Sequence, residues 1–443
     1  MKGIEALSRR GFLGWTAGAP LVLSSRVLAQ GVRSPNEKIN IAFIGVGGRG
    51  ASNRDGLRGE NCVALCDVNS RKLGEAAAQY SSVQTYRDFR KMLDEMEKSI
   101  DAVVVSTPDH VHAVALMAAI KRGKAVYSEK PLAHSIGEVR ALMKASAERK
   151  VVTQLGNQGH SSDSIRQFCE WIWDGAIGRV HTIHARCQSV YCAIGNLRKV
   201  KDEHPVPPHL DWDLWLGPAP FRPYNPMYEP GSWRSWSPFG TGVIGDWTCH
   251  VVDPVFWALD LGAPSTIQAQ VRNYDPKVHF DTFPPGCKVT YKFPAKGARA
   301  PVTLIWYDGE EKIPPVEGLK EAPGIGAVVL GDKGGIVYGS HGADGVRLFP
   351  DSLNKEYKRP APKLRRIGGD HHGDFARGIR NPGHIPGSNF QYGGPLTELA
   401  LLGNIAFRFP GLELKWDGPG MKFTNCAEAN LFLNPPYRKP WSL

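Results

Sequence analysis

Cysteine is scarce, eight in 443 residues, which excludes a small scaffold held by disulfides. No run of 18 apolar residues occurs, so no segment is expected to cross a bilayer as a helix. Glycine (49) and proline (34) follow no collagen-like or other fixed period, and predict many turns instead. Extreme composition is absent too. With 42% hydrophobic and 22% charged residues, long disorder is excluded and two or three compact domains are expected. The chain is basic, at net +11, but no basic helix or nucleic-acid-binding motif accompanies the charge. Its clearest cluster, Lys355 to Arg366, is broken by prolines and contains Glu356, as a solvated loop would be. Nucleic acid is therefore not an expected partner, although a basic surface favours acidic substrates.

What is present begins with an address. Ser8-Arg9-Arg10-Gly11-Phe12-Leu13 is a twin-arginine pattern, followed by a weakly apolar stretch from Gly14 to Leu23. Val27-Leu28-Ala29 then offers a cleavage site before Gln30. Residues 1–29 thus read as a twin-arginine export signal, and a periplasmic or otherwise exported protein is expected. Twin-arginine export is associated with proteins that fold first, so a bound cofactor would travel with the chain. Cys62 and Cys66 share parity on one apolar stretch and are expected as free core thiols. Cys187 and Cys192 are the pair best placed for a disulfide.

Residues 36–157 read as a nucleotide-binding domain. A β-type run, Lys38 to Ile44, leads directly into Gly45-Val46-Gly47-Gly48-Arg49-Gly50. A second strand, Val63 to Cys66, ends in Asp67, 22 residues after Gly45. A G-x-G-x-x-G set between strand and helix, with an acidic residue at that distance, is a dinucleotide fingerprint. Gly45 permits the tight turn, Gly47 lets the backbone approach a pyrophosphate, and Gly50 lets the helix pack closely on the strand. Asp67 can accept both ribose hydroxyls and would repel a 2′-phosphate, which favours NAD over NADP. Arg49 and Arg71 soften that preference, so NADP stays open. The β–α alternation continues through strands at Asp101–Ser106, Ala125–Ser128 and Val151–Leu155 and helices at His110–Lys121 and Ser135–Lys150. Ser135 stands as N-cap with Glu138 in capping-box register. The pattern predicts an α/β, doubly wound parallel sheet. Ligands bind at the carboxyl ends of such strands, where Thr107, Pro108, Glu129, Lys130 and Asn157 fall.

The texture changes in residues 158–443, which predict an α+β domain on a mainly antiparallel sheet. Ser162–Asp174 is expected as a helix, Val180–Cys187 alternates like an antiparallel strand, and Pro395–Phe409 is expected as a late helix. Residues 191–245 are rich in Pro, Trp and Tyr, and irregular segments this long are uncommon unless functional. Their aromatics suit sugar stacking or core and oligomer contacts equally. From Gly240 a glycine-rich entry leads into a helix expected to run through Asp253. Asp246 and His250, at i and i+4, share a face of it. A carboxylate there can orient an imidazole and raise its basicity, but a capping Asp and a structural His fit the same spacing. Trp247, His160, His371 and His372 are further candidate substrate contacts. His371 and His372 with Asp374 lack the additional spacing of a metal site, and no metal is expected.

Together these segments resemble the Gfo/Idh/MocA family (glucose-fructose oxidoreductase / inositol dehydrogenase), over nearly all of residues 36–443 and most specifically in the first half. Gly45 to Gly50 resembles its dinucleotide loop, and Thr107-Pro108-Asp109-His110-Val111-His112 its T-P-x-x-x-H segment. Glu129-Lys130-Pro131 resembles its E-K-P motif and Asp246 to His250 its D-x-G-x-H motif, with Thr248 where the family usually has Gly. The export signal and the aromatic insert look like an exported branch. The resemblance implies cofactor contacts at Gly45, Gly47, Gly48, Arg49, Gly50, Asp67, Thr107, Pro108, His112, Glu129, Lys130 and Asn157. It implies that Lys130 lies by the nicotinamide and the reacting hydroxyl. His250 would accept or donate the proton, with Asp246 as its companion. It also implies a homo-oligomer, dimer or tetramer.

The expected function is a periplasmic NAD(P)-dependent oxidoreductase acting on a hydroxyl of a sugar, glycoside or polyol. Free NAD is scarce outside the cytoplasm, so the cofactor is expected to be tightly held and recycled in place. If the same substrate takes its hydrogen back, a transient ketone acidifies the neighbouring C–H. Redox-neutral glycoside cleavage or epimerisation then becomes an alternative. A non-catalytic sugar-binding protein is a third reading, against which Lys130, Asp246 and His250 argue.

Overall fold

The computed structural model describes residues 37–229 and 231–443; the twin-arginine segment lies outside the described residues. The first sheet is built from β1 (Asn40–Ile44), β2 (Asn61–Cys66), β3 (Gln84–Tyr86), β4 (Ala102–Val105), β5 (Ala125–Ser128) and β6 (Thr153–Leu155). Its order is β3-β2-β1-β4-β5-β6, with every pairing parallel. β4 and β5 are buried at every residue, as strands covered by helices on both faces must be. The connecting helices are α1 (Arg49–Gly56), α2 (Ser70–Ala77), α3 (Phe89–Glu95), α4 (Asp109–Lys121) and α5 (Ile136–Arg149). The capping box ahead of α5 forms: the Ser135 amide donates to Glu138 at 2.8 Å and the Glu138 amide to Ser135 Oγ at 3.3 Å. The strand order reverses between β1 and β4, and the crevice of the fold opens there.

The two thiols of β2 are free, as expected, but for a local reason they do not share a face. The strand's register against β1 slips between Ile41 and Ala42, so Val63 is an extra residue. A one-residue slip exchanges faces. Cys66 therefore packs in the same core as Val103 and Val105, whereas Cys62 packs with Tyr80 on the other side. The Cys187–Cys192 disulfide is not formed, and all eight cysteines are free. Cys187 is buried in the core at the end of its strand, away from the half-buried Cys192.

The second half begins with α6 (Asp163–Trp173), β7 (Val180–Cys187), α7 (Trp212–Leu216), α8 (Gly242–Val251) and α9 (Asp253–Ala258). Strands β8 (Thr266–Val271), β9 (Cys287–Phe293), β10 (Val302–Asp308), β11 (Ile325–Gly331) and β12 (Gly334–Gly339) follow. A turn α10 (Ser340–Ala343), β13 (Arg347–Phe349), α11 (Asp351–Glu356), α12 (His371–Arg380), α13 (Phe390–Ala406), β14 (Leu414–Asp417) and β15 (Lys422–Phe423) complete it. The nine strands run β13-β12-β11-β7-β10-β9-β8-β14-β15. The sheet is antiparallel except where β7 meets β10 in parallel. β7 is thus a central strand with mixed neighbours, not a simple antiparallel one. α13 starts five residues before Pro395, capped by Asn389, and carries that proline inside its second turn at the loss of one backbone hydrogen bond. The helix ends at Ala406 instead of Phe409.

The aromatic insert makes a core of its own from Trp212, Trp215, Tyr224, Tyr228, Trp236 and Phe239. Most of its rings are therefore packing residues. Helix α12 returns to the first sheet, where Phe375 and Ala376 join the core of Ile39, Ile41, Phe43 and Tyr127. Phe375 is fully buried, with its ring 5.8 Å from that of Tyr127. Phe375→Ala should cost about 3–5 kcal/mol of folding stability, read from the urea midpoint.

Candidate active site

A cleft of about 560 Å³ opens at the carboxyl ends of β1, β2, β4 and β5. Its floor is the glycine loop. Gly45 sits at φ 80°, and a Cβ there would lie 2.7 Å from the Ser106 carbonyl oxygen. A Cβ on Gly50 would lie 2.0 Å from the Gly45 carbonyl oxygen, so α1 could not pack this closely with any side chain. Gly48 caps α1 without a side-chain hydrogen bond, and the Gly50 and Ala51 amides turn back on the Gly47 and Gly48 carbonyls at 2.9 and 3.1 Å, so what this helix start offers an anion is its dipole behind a glycine-lined approach. Asp67 lines the cleft at the end of β2, held by the Val46 and Asn69 amides at 2.9 Å each. Burial pushes its carboxyl above the usual range against those hydrogen bonds. Glu129 accepts from Asn53 and Gln158 at 3.0 Å and from Arg49 at 3.3 Å, while its Oε2 is buried without a partner among the described residues. The closed loop, glycine-lined helix start, acidic strand end and spare buried acceptor fit a dinucleotide.

Lys130 leaves the end of β5 and meets Asp246 from the first turns of α8 in a largely buried ion pair. Asp246 also accepts from Tyr191 Oη at 2.8 Å and lies 3.5 Å from Arg234. Burial opposes the charge of Lys130, but the Asp246 carboxylate outweighs it and holds the amine above its ordinary pKa. Burial likewise opposes the Asp246 charge, and Lys130 with Arg234 overcomes it, holding the acid low. Asp246 thus keeps Lys130 cationic in the protein alone.

His250 lies one helical turn beyond Asp246 but does not bond to it. Its Nδ1 is buried without a partner among the described residues. Burial, then Lys130 and His341, drive its pKa well below 6.5, so the ring is neutral at neutral pH. The pairing of Asp246 with His250 is therefore corrected: the carboxylate turns to Lys130, the stronger partner. α8 also stops at Val251, and Asp253 begins α9 facing the other way.

Other expected residues divide by position. Gly47, Gly48, Arg49, Thr107, Pro108 and Trp247 line the cleft. His112 does not; it is buried, bridging the Pro131 and Thr107 carbonyls at 2.8 and 2.9 Å. Asn157 is buried between Asp253 (3.1 Å) and Ser388 (2.5 Å). His160 bonds Asp253 at 3.0 Å and stacks on Trp257. His371 bonds Ser161 and the Leu155 carbonyl at 2.8 Å each, and burial drops its pKa to about 3. His372 stacks on Tyr127 and bonds Asn53 at 2.9 Å, one residue behind Glu129. None of these five side chains is among the residues that line the cleft. No His/Cys/Asp/Glu group among the described residues could hold a metal, and no described helix is long and apolar enough to cross a membrane.

Among the cleft residues outside the sequence motifs are His341, Arg234 and Trp233, on the side of Lys130 and Asp246. His341 stacks on His250 with ring centroids 4.1 Å apart. Its backbone is left-handed at φ 55°, and Gly342 and Ala343 follow at φ 88° and 61°. The turn is pinned by Ser162 Oγ donating to the Gly342 carbonyl at 2.7 Å. The Ser340-His341-Gly342 triplet after a strand was the available signal. Arg234 lies over Trp233, 4.2 Å from the ring centroid.

Asp246→Asn should lower the Lys130 pKa, because it removes the charge that outweighs burial. NMR of the reductively methylated amine would show it, and an unmoved titration would contradict the pairing.

Residues 39–157 match the Gfo/Idh/MocA family model described as an NAD-binding Rossmann fold. Residues 191–321 match that family's C-terminal alpha/beta domain. An inositol 2-dehydrogenase of Rubrobacter xylanophilus is 29% identical over 153 residues, 33% of this chain and 43% of that protein. A levoglucosan dehydrogenase of Pseudarthrobacter phenanthrenivorans is 26% identical over 190 residues, 43% of this chain and 40% of that protein. The matched stretches thus span about two fifths of these relatives' length. In structure, the WlbA dehydrogenase of Bordetella pertussis, solved with NADH and UDP-GlcNAcA, superposes with a TM-score of 0.59 at 16% identity. That likeness covers 86% of this chain and 99% of WlbA. Aldose-aldose oxidoreductase of Caulobacter crescentus, complexed with glycerol, gives 0.58 at 16% identity, over 86% and 100%. At such identities the likeness speaks for the fold. With both characteristic domains present in order, the chain belongs to the Gfo/Idh/MocA oxidoreductase family.

Proposed function

We propose that the chain is an exported NAD-dependent oxidoreductase acting on a secondary hydroxyl of a sugar or polyol. The observation that carries this reading is the meeting of Lys130, Asp246 and a neutral His250 at the end of β5, beside the glycine cradle. The names of the relatives, inositol and levoglucosan dehydrogenases, support the substrate class. When bound, the nicotinamide supplies a two-electron acceptor for the carbinol hydrogen.

The protein's own share is positioning and proton traffic. Lys130, kept cationic by Asp246, stabilises negative charge developing on the hydroxyl oxygen. His250 lines the cleft and is neutral, so the lone pair of its imidazole can take the hydroxyl proton without first losing one. Trp247 and Trp233 wall the cleft with apolar rings that suit the C–H faces of a sugar. Asp67 serves the adenosine ribose and favours NAD. Export through the twin-arginine signal makes a retained cofactor advantageous, because dinucleotide lost outside the cytoplasm would not be replaced.

The test is addition of candidate sugars and polyols to the natively purified protein while following reduced-nicotinamide absorbance. Silence across polyols, sugars and glycosides would sink the reading. Release of an aglycone without a keto-sugar would turn it towards redox-neutral cleavage. His250→Ala and Lys130→Met should each lower turnover roughly 10²–10⁴-fold while dinucleotide still binds. Turnover should show no break near pH 6.5, because His250 has already lost its proton well below that value. An inflection there that vanishes in His250→Ala would contradict the neutral-base assignment.

A further inference from the structure

The end of the cleft away from Lys130 is closed by chain that does not belong to the six-stranded sheet. One part is the stretch before and through α7. It lies on the turn after β2, where the Asp211 amide donates to the Val68 carbonyl at 3.0 Å and the Ser70 amide to His209 at 2.8 Å. Leu210 and Leu214 reach the cleft beside Asp67 in this way.

The second part, residues 437–443, is fastened to the first. Arg438 pairs with the Asp213 carboxylate at 2.6 Å and donates to the Asp213 and Gly217 carbonyls at 3.0 Å each. Its amide donates to the Pro218 carbonyl at 2.9 Å. The Trp441 amide returns to the Arg438 carbonyl at 2.9 Å, which folds the indole back over the start of α3. There the Arg90 guanidinium lies 4.4 Å from the indole centroid and the Phe89 ring 6.0 Å away. Arg90 is itself held by Asp88 at 2.7 Å. Trp441 thus lines the cleft together with Asp67, Asp88 and Phe89, although nothing in the glycine fingerprint points to it.

An indole fixed by a guanidinium and a phenyl ring, at the acidic end of a dinucleotide-shaped cleft, has the chemistry of a purine platform. We propose that Trp441, carried on the strap anchored by Arg438, walls the adenosine subsite and slows departure of the dinucleotide. The inference rests on the dinucleotide reading of the cleft. It assigns cofactor retention to residues that the glycine loop does not include.

The test measures release, not turnover. Protein loaded with NADH is mixed with excess NAD, and the loss of bound-nucleotide fluorescence gives the off-rate. Trp441→Ala should release NADH about tenfold faster than the unaltered chain, given what one aromatic stacking contact contributes. Arg438→Gln should act in the same direction, and Trp441→Phe should restore most of the retention. Reduced nicotinamide mononucleotide lacks the adenosine half and should leave all forms at one rate, which separates a lost contact from a damaged fold. An unchanged NADH off-rate in Trp441→Ala overturns the strap and leaves the dinucleotide reading standing. A chain that takes up no dinucleotide at all overturns both.

Discussion

The Lys130–Asp246 ion pair is the constraint on which the site depends. Lys130 belongs to the end of the parallel sheet, Asp246 to a helix of the second half, and neither charge is free in water. Burying such a pair costs solvation, which is repaid only by close geometry and additional hydrogen bonds. Tyr191 and Arg234 supply the additional partners. The pair therefore holds the two halves in one register and keeps a positive charge beside His250. That charge, together with burial, is why the imidazole is neutral. The pair thus sets the charge of the amine, and burial, with that amine and His341, sets the basicity of its neighbour.

Much of the first half was legible because its signals are local. Hydrophobic runs bounded by glycine and proline define β4 and β5, and the Ser135–Glu138 box marks the start of α5. Asp67, Lys130 and the glycine loop were found because a βαβ sheet delivers strand ends to one crevice. Cys62 was misplaced because a bulge costs one residue and leaves no trace in composition. The parallel neighbour of β7 was not legible because alternation reports a buried face, not the direction of the next strand.

The histidines show where local reasoning stops. His112, expected from the family motif, and His160 and His371, expected from residue type, each bond to interior groups. His341 carries no motif and reaches the cleft only because three successive left-handed residues turn the chain there. A backbone of that kind, costly for His341 and Ala343, is maintained only by surroundings that over-determine it. The Gly159 and Ser162 contacts provide them.

The return of α12 to the first sheet has its own consequence. Phe375 and Ala376 complete a core whose other members, Ile39 to Tyr127, all belong to the first third of the chain. The nucleotide-binding unit is thus sealed by the last third of the polypeptide. During synthesis its strands must wait, with one greasy flank uncovered, until that late helix arrives, so the molecule closes from its tail.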